Sequence, residues 1–99
     1  MLHHLVLIAV KDWTTDDQVA AALDGLAALP DAIPEIRTFT CGRDEGISTT
    51  AVDLAFVATF DDAEAYEAYR SHPAHAAFAR DLLRPIAETV TISQFISAP

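Results

Sequence analysis

The stretch HHLVLIAVK, from His3 to Lys11, decides the fold because it is apolar at nearly every position. A strand with one face in water alternates between apolar and polar residues, whereas this stretch is continuously apolar from Leu5 to Val10. We therefore predict a strand that is covered on both faces. The apolar run is too short for a signal peptide or a membrane span.

The rest of the chain predicts three more strands and two helical regions. The first helix begins with a capping-box pattern, Thr15 with Gln18 three residues later, and Pro30 is expected to end it. Asp61 is the expected cap of the second helical region, and Pro73 divides that region because a helix tolerates proline in its first turn but not in its interior. The predicted strands cover residues 35–43, 51–60 and 88–98, and the predicted helices cover residues 12–30, 61–71 and 73–83.

The predicted order of elements is β-α-β-β-α-α-β. This is the order of an α+β, ferredoxin-like fold, with one antiparallel four-stranded sheet and helices on one face. A chain of 99 residues is the size of one domain, which we assign to residues 1–99. Helices on one face leave the other apolar face exposed, which a monomer does not normally tolerate. We therefore predict a homodimer in which two sheets pack face to face as a dimeric α/β barrel.

The charge balance and the cysteine content exclude several partners and environments. The chain has 15 Asp and Glu residues against 6 Lys and Arg residues. Phosphate backbones and anionic lipids attract clustered cations, so we predict no nucleic-acid partner and no membrane partner. The single cysteine, Cys41, has no partner for an internal disulfide, and we expect a cytoplasmic location.

The stretch YRSHPAHAAF, from Tyr69 to Phe78, holds the residues best suited to chemistry. A carbon–carbon condensation needs a base of near-neutral pKa and a donor for the developing enolate oxygen. His75 is predicted in the first turn of the helix that begins at Pro73, whose positive end disfavours an imidazolium, and the Tyr69 hydroxyl supplies a donor. His72 and His75 together provide too few ligands for zinc, so we predict no metal and no cofactor.

Each of these side chains also has a purely structural interpretation. His72 can cap the joint between two helices, His75 can be a hydrogen-bonded structural histidine, and Tyr69 can be a core aromatic residue. His4, on a buried strand, is typical of a hydrogen-bonded core histidine. His3 is expected on the opposite face of that strand, toward the dimer interface.

Four segments of the chain resemble the stress-responsive A/B barrel family, in the order in which the family has them. They are HHLVLIAVK, LPDAIPEIRTFTCGRD, DLAFVATFDDAEAYEAYRSHPAH and LLRPIAETVTISQF, of which the HPAH motif is the most specific. The family belongs to the dimeric α/β barrels, so the resemblance implies the same fold and a homodimer. One member, olivetolic acid cyclase, closes a linear polyketide by an intramolecular aldol condensation, and the chain is distantly similar to it around HLVLIAVK and AYRSHPAH.

The similarity to this cyclase implies roles for five residues. His75 is implied as the general base, and Tyr69 as the group that orients or polarises a carbonyl. His4 and His72 are implied as parts of the substrate pocket. Gln94 stands where the cyclase has an aspartate that supports its catalytic histidine. An amide can hold a histidine tautomer by hydrogen bonding, but it cannot stabilise an imidazolium by charge.

Three functions are open on this sequence. The first is a cofactor-free, polyketide cyclase-like enzyme with a pocket for a small apolar carbonyl compound between helices and sheet. The second is a non-catalytic stress-response or structural dimer. The third is a cofactor-free monooxygenase-like member of the dimeric α/β barrels, which only the shared fold supports. A cavity faced by Tyr69 and His75 favours the first, and a filled interior favours the second.

Overall fold

The sheet has the strand order β2-β3-β1-β4, and every neighbouring pair is antiparallel. The computed structural model describes residues 1–49 and 52–98, so the predicted start of the third strand at Ala51 lies outside the described residues. The predicted α+β, ferredoxin-like fold is confirmed. The elements are β1 (Leu2–Val10), α1 (Asp16–Ala32), β2 (Thr38–Arg43), β3 (Leu54–Phe60), α2 (Ala63–Ser71), α3 (Pro73–Phe78), a π-helical turn (Ala79–Leu83) and β4 (Ala87–Ile96).

The core lies between the helices and one face of the sheet. The even-numbered positions of β1 point into it, because successive side chains of a strand point to opposite faces. They meet the buried stripe of α1 and the aromatic residues of β3 and α2. The buried hydrophobic residues are Leu2, Val6, Ile8, Val19, Ala22, Leu26, Leu29, Ile33, Ile36, Leu54, Phe56, Ala58, Phe60, Tyr69, Phe78 and Ile86.

Helix α1 is capped by Thr15 as predicted, but it begins at Asp16 instead of Asp12 and ends later than predicted. The Thr15 hydroxyl accepts a hydrogen bond from the Gln18 amide at 3.2 Å, and the Gln18 side chain accepts one from the Thr15 amide at 2.9 Å, which confirms the capping box. The prediction that Pro30 ends the helix is wrong, since the helix continues to Ala32. Pro30 lies in the last turn, where its missing N–H costs one hydrogen bond. The backbone N–H of the fully buried Ile33 still donates to the Leu29 carbonyl at 2.9 Å.

Helix α2 is capped one residue later than predicted. The carboxylate of Asp62, not of Asp61, accepts a hydrogen bond from the Ala65 amide at 2.9 Å. Asp61 instead accepts two hydrogen bonds from the Arg37 guanidinium, both at 2.8 Å. The predicted break at His72 is confirmed: its ψ of 138° is extended, as expected for a residue before proline.

The sheet face opposite the helices, called the open face below, carries the odd-numbered positions of β1 and their cross-strand neighbours. Leu7, Val57 and Phe95 are 42%, 38% and 50% exposed there. His3 lies on this face as predicted and stacks on Phe95, with ring centroids 4.8 Å apart. The second face is therefore apolar in part and has no helix over it. Among the described residues, no helix is long and apolar enough to cross a membrane.

Candidate active site

A cavity of about 240 Å³ lies between the helical layer and the sheet, at the joint between α2 and α3. Its wall is mostly apolar and contains a small group of polar aromatic side chains. Such a combination is typical of small-molecule sites, in which a few polar groups orient a ligand held by apolar contacts. The lining residues are His4, Val6, Phe56, Tyr66, Tyr69, Arg70, His75, Phe78, Ala79, Leu83, Val90 and Ile92.

Tyr69 is almost fully buried in this wall, with 1% of its surface exposed. Its ring lies against the His75 ring, with centroids 4.6 Å apart and planes inclined by 56°. Its hydroxyl is buried and has no hydrogen-bond partner among the described residues. Burial raises the pKa of this phenol, and the neighbouring Tyr66 adds to the effect. Tyr69 therefore contributes a protonated phenol to the wall of the cavity.

His75 is half-buried in α3, close to the Pro73 that begins this helix. Burial lowers the pKa of its imidazole, the charge of Arg70 adds to this, and an interaction with the backbone of Arg70 opposes it. We predicted a low pKa from the positive helix end, whereas the largest cause in the structure is burial. A neutral imidazole can accept a proton, as a general base must.

His4 lies on β1 at the floor of the cavity and is 3% exposed. Its ring packs against Tyr66 and Tyr69, with centroid distances of 4.9 Å and 5.9 Å. Its Nδ1 atom lies 3.0 Å from the amide nitrogen of Gln94. Burial, with a smaller contribution from the charge of His75, lowers the pKa of His4 to about 4. The ring is therefore neutral at physiological pH.

The other two predicted binding residues do not line the cavity. The Nδ1 atom of His72 accepts a hydrogen bond from the Ala74 amide at 3.0 Å, so this ring caps α3. Gln94 reaches the site through its contact with His4, although its place in the cyclase resemblance pairs it with the catalytic histidine. The roles of His72 and Gln94 in substrate binding stay predictions.

The sequence analysis did not assign nine of the twelve lining residues to the site, among them Tyr66, Arg70, Val90 and Ile92. Tyr66 and Arg70 belong to the helix that carries Tyr69, and Val90 and Ile92 belong to β4. A signal for Tyr66 was present, because residues three positions apart share a helix face. The two β4 residues share a face with Gln94, since strand side chains alternate with a period of two.

A second depression, of about 530 Å³, lies at the other end of β1 beside the loop after β2. It is lined by charged and small polar side chains, including Asp12, Asp16 and Asp53, and by no histidine or tyrosine. Its Asp16 is paired with Arg43 at 3.0 Å. Within residues 1–49 and 52–98, no group of three or more His, Cys, Asp or Glu side chains is placed to hold a metal ion. The histidine-lined cavity is therefore the stronger candidate for chemistry.

The sequence model of the stress-responsive A/B barrel domain matches residues 2–97. The chain belongs to this family. An uncharacterised protein of Streptomyces coelicolor is 34% identical over 79 residues, which cover 78% of this chain and 81% of that protein. The match to the family model confirms the family resemblance predicted from the four sequence segments.

Two solved structures show how widely this family's fold is shared. A dimeric ferredoxin-like protein of unknown function from Thermobifida fusca has a TM-score of 0.87 at 33% identity, over 95% of this chain and 88% of that one. A hydroxynitrile lyase from Passiflora edulis has a TM-score of 0.86 at 19% identity, over 98% of this chain and 93% of that one. The second likeness is one of fold alone.

Proposed function

We propose that the cavity binds a small, mostly apolar carbonyl compound and that His75 and Tyr69 catalyse a cofactor-free aldol-type condensation on it. The observation that carries this proposal is the buried Tyr69 hydroxyl, which has no hydrogen-bond partner in the described part of the chain and lies beside the His75 ring in an apolar cavity. An unpaired buried hydroxyl costs stability, so its retention is explained when a ligand oxygen accepts its hydrogen bond.

The chemistry needs one base and at least one donor. The neutral His75 removes a proton from the carbon between two carbonyl groups, and the enolate oxygen accepts a hydrogen bond from the Tyr69 hydroxyl. The enolate carbon then attacks a further carbonyl group of the same substrate molecule and forms the new carbon–carbon bond. The imidazolium of His75 returns its proton to the resulting alkoxide, so the step needs no oxidant, reductant or metal.

The size and the lining of the cavity limit the substrate class. A volume of about 240 Å³ is below the range of about 300–1,000 Å³ of sites for drug-sized ligands. Phe56, Phe78, Leu83 and Ile92 suit an alkyl or aromatic group next to the reacting carbonyls. The fold also carries a hydroxynitrile lyase, which supports its use for catalysis but not this reaction.

A cavity-filling variant tests the binding part of the proposal. Ala79→Leu adds side-chain volume to the cavity wall, so we expect it to weaken binding of any compound that the wild type takes up by at least about tenfold. The measurement is calorimetric titration with a panel of linear polyketides and β-dicarbonyls. Ala76→Leu, on the exposed side of α3, is the matched control. A wild type that binds none of these compounds, or an Ala79→Leu variant that binds them equally well, contradicts the proposal.

We also propose that the chain forms a homodimer through the open face. The exposed Leu7, Val57 and Phe95 on this face support the proposal, as does the dimeric relative from Thermobifida fusca. We expect a dimer by analytical ultracentrifugation at micromolar concentration, and dissociation in Val57→Lys because a charge would be buried in an apolar interface. Ala21→Lys, on the exposed side of α1, is expected to remain dimeric. A monomeric wild type refutes the dimer.

A non-catalytic stress-response dimer is the second candidate function. The open apolar face and the family's description favour it, since neither requires a ligand. This alternative predicts a dimer that binds none of the panel compounds, so the calorimetric titration separates the two candidates. A cytoplasmic location and the lack of nucleic-acid or membrane partners stay predictions.

A further inference from the structure

The side chain of Gln94 contacts the ring of His4 across two neighbouring strands. The two residues lie directly opposite each other on β4 and β1, on the face of the sheet that carries the cavity. The amide nitrogen of Gln94 lies 3.0 Å from Nδ1 of His4. An amide nitrogen donates hydrogen bonds and does not accept them, so Nδ1 is the acceptor in this pair.

A neutral imidazole that accepts at Nδ1 carries its proton on Nε2. We propose that Gln94 is a positioning residue that holds His4 in the Nε2–H tautomer, so that His4 offers an N–H donor to the cavity beside the Tyr69 hydroxyl. With Nδ1 occupied by Gln94, Nε2 is the polar atom of His4 that is free to meet a ligand.

The surroundings of His4 keep the ring in the neutral state in which a tautomer is defined. It is surrounded by the rings of Phe56, Phe60, Tyr66 and Tyr69. His75 is a titratable neighbour across the cavity. Burial among these groups lowers the pKa of His4 to about 4. At pH 7 the tautomer, and not the charge, therefore decides what His4 offers.

Two neutral donors in one cavity specify the polar group of the ligand. The Tyr69 hydroxyl and the His4 Nε2–H both require an acceptor, and an oxygen with two lone pairs can serve both. The inference thus deepens the proposed function, on which its ligand part rests: the preferred ligand has an acceptor-only oxygen, such as a ketone or an enolate. A protonated amine of the same shape competes poorly because it only donates and cannot accept either hydrogen bond.

Gln94 variants test the tautomer without any ligand. In long-range proton–nitrogen NMR spectra at pH 7 we expect the wild-type His4 to show the Nε2–H pattern, assigned by its absence from His4→Phe. A carboxylate only accepts, so Gln94→Glu is expected to move the proton to Nδ1, and Gln94→Leu to give a mixture. Ser93→Ala, next in the chain but on the open face, is the control and should leave the pattern unchanged.

Two outcomes overturn the inference. An Nδ1–H pattern in the wild type refutes it directly, as does one tautomer shared by wild type, Gln94→Glu and Gln94→Leu. In the second arm, a β-dicarbonyl that binds the wild type is titrated into Gln94→Glu, with an expected loss of affinity of about tenfold, the worth of one hydrogen bond. Unchanged affinity with a reversed tautomer refutes the donor role. Failure of the whole panel to bind the wild type refutes the proposed function instead, and the tautomer spectra still decide the Gln94 contact.

Discussion

Replacing Tyr69 with phenylalanine is expected to lower kcat/KM for a linear polyketide or β-dicarbonyl substrate by about 10²- to 10³-fold, the usual effect of losing one donor to a developing oxyanion. The variant keeps the ring that packs against His75 and removes only the hydroxyl. Product formation from the substrate panel, measured under kcat/KM conditions, is the test. Because the ring is retained, the loss is expected in the chemical step and not in the shape of the cavity.

The same variant is expected to fold at least as stably as the wild type. The Tyr69 hydroxyl is buried without a partner among residues 1–49 and 52–98, and leaving such a group unpaired costs about 1–3 kcal/mol, which phenylalanine avoids. Tyr69→Ala, by contrast, removes a ring packed 5.1 Å from Phe60 and 4.6 Å from His75, centroid to centroid. That variant is expected to lose about 3–5 kcal/mol in free energy of unfolding. A hydroxyl that costs stability but is needed for turnover has the signature of a functional group.

His75→Ala completes this experiment. Loss of a general base is expected to lower kcat/KM by about 10²- to 10⁴-fold, and the Tyr69→Phe, His75→Ala double variant should be little worse than the more damaged single variant, because both act in one step. His3→Ala, on the open face, is the matched control. Turnover that is equal in wild type and both single variants contradicts the catalytic assignment. A Tyr69→Phe variant that is clearly less stable indicates a structural role for the hydroxyl.

The element order could be predicted because each local signal agreed with the global fold. The two-sided apolar pattern of β1 and the proline at the α2–α3 joint needed no tertiary information. The errors arose where two local signals competed. Asp61 and Asp62 are equally good caps by sequence, and Asp61 is drawn away by Arg37, which is 24 residues distant. Similarly, the helix continues past Pro30 to Ala32, next to the fully buried Ile33.

The members of the cavity were predictable only in part. His4, Tyr69 and His75 line it, whereas His72 and Gln94 do not, and most of the lining residues were not predicted. The spacing of Tyr69 and His75 around Pro73 indicates that both lie at one helix joint, and the resemblance to the cyclase added His4. The partner of Gln94 depends on the register between β1 and β4, whose contacting side chains are 90 residues apart in the chain. No local pattern sets that register, since it follows from how the whole sheet pairs. The unpartnered Tyr69 hydroxyl is likewise a property of the packed interior alone.

Acidification between pH 6.5 and pH 4 is expected to destabilise the protein through His4. Its pKa falls from 6.5 to about 4 on folding, so the unfolded chain binds more protons than the folded chain in this window. The contribution of His4 to the free energy of unfolding is therefore fully present above pH 6.5 and is lost as the pH falls toward 4. The shift corresponds to a loss on the order of 3 kcal/mol. Burial lowers the pKa of His75 as well, so this residue acts in the same direction.

Urea unfolding at several pH values, at one protein concentration, measures this dependence. The carboxylate of Asp61, whose pKa is lowered from 3.8 by Arg37, loses its contribution only below this window. Protonation of other acidic groups reduces the net charge of −9 and with it the self-repulsion, which opposes the His4 effect. A comparison of variants cancels this background. His4→Leu is expected to flatten the slope between pH 6.5 and 4, while His3→Leu, one residue away on the open face, keeps it. Equal slopes in both variants would show that His4 is protonated equally in the folded and unfolded chains. The cavity floor would then not be the dry, apolar environment on which the proposed chemistry depends.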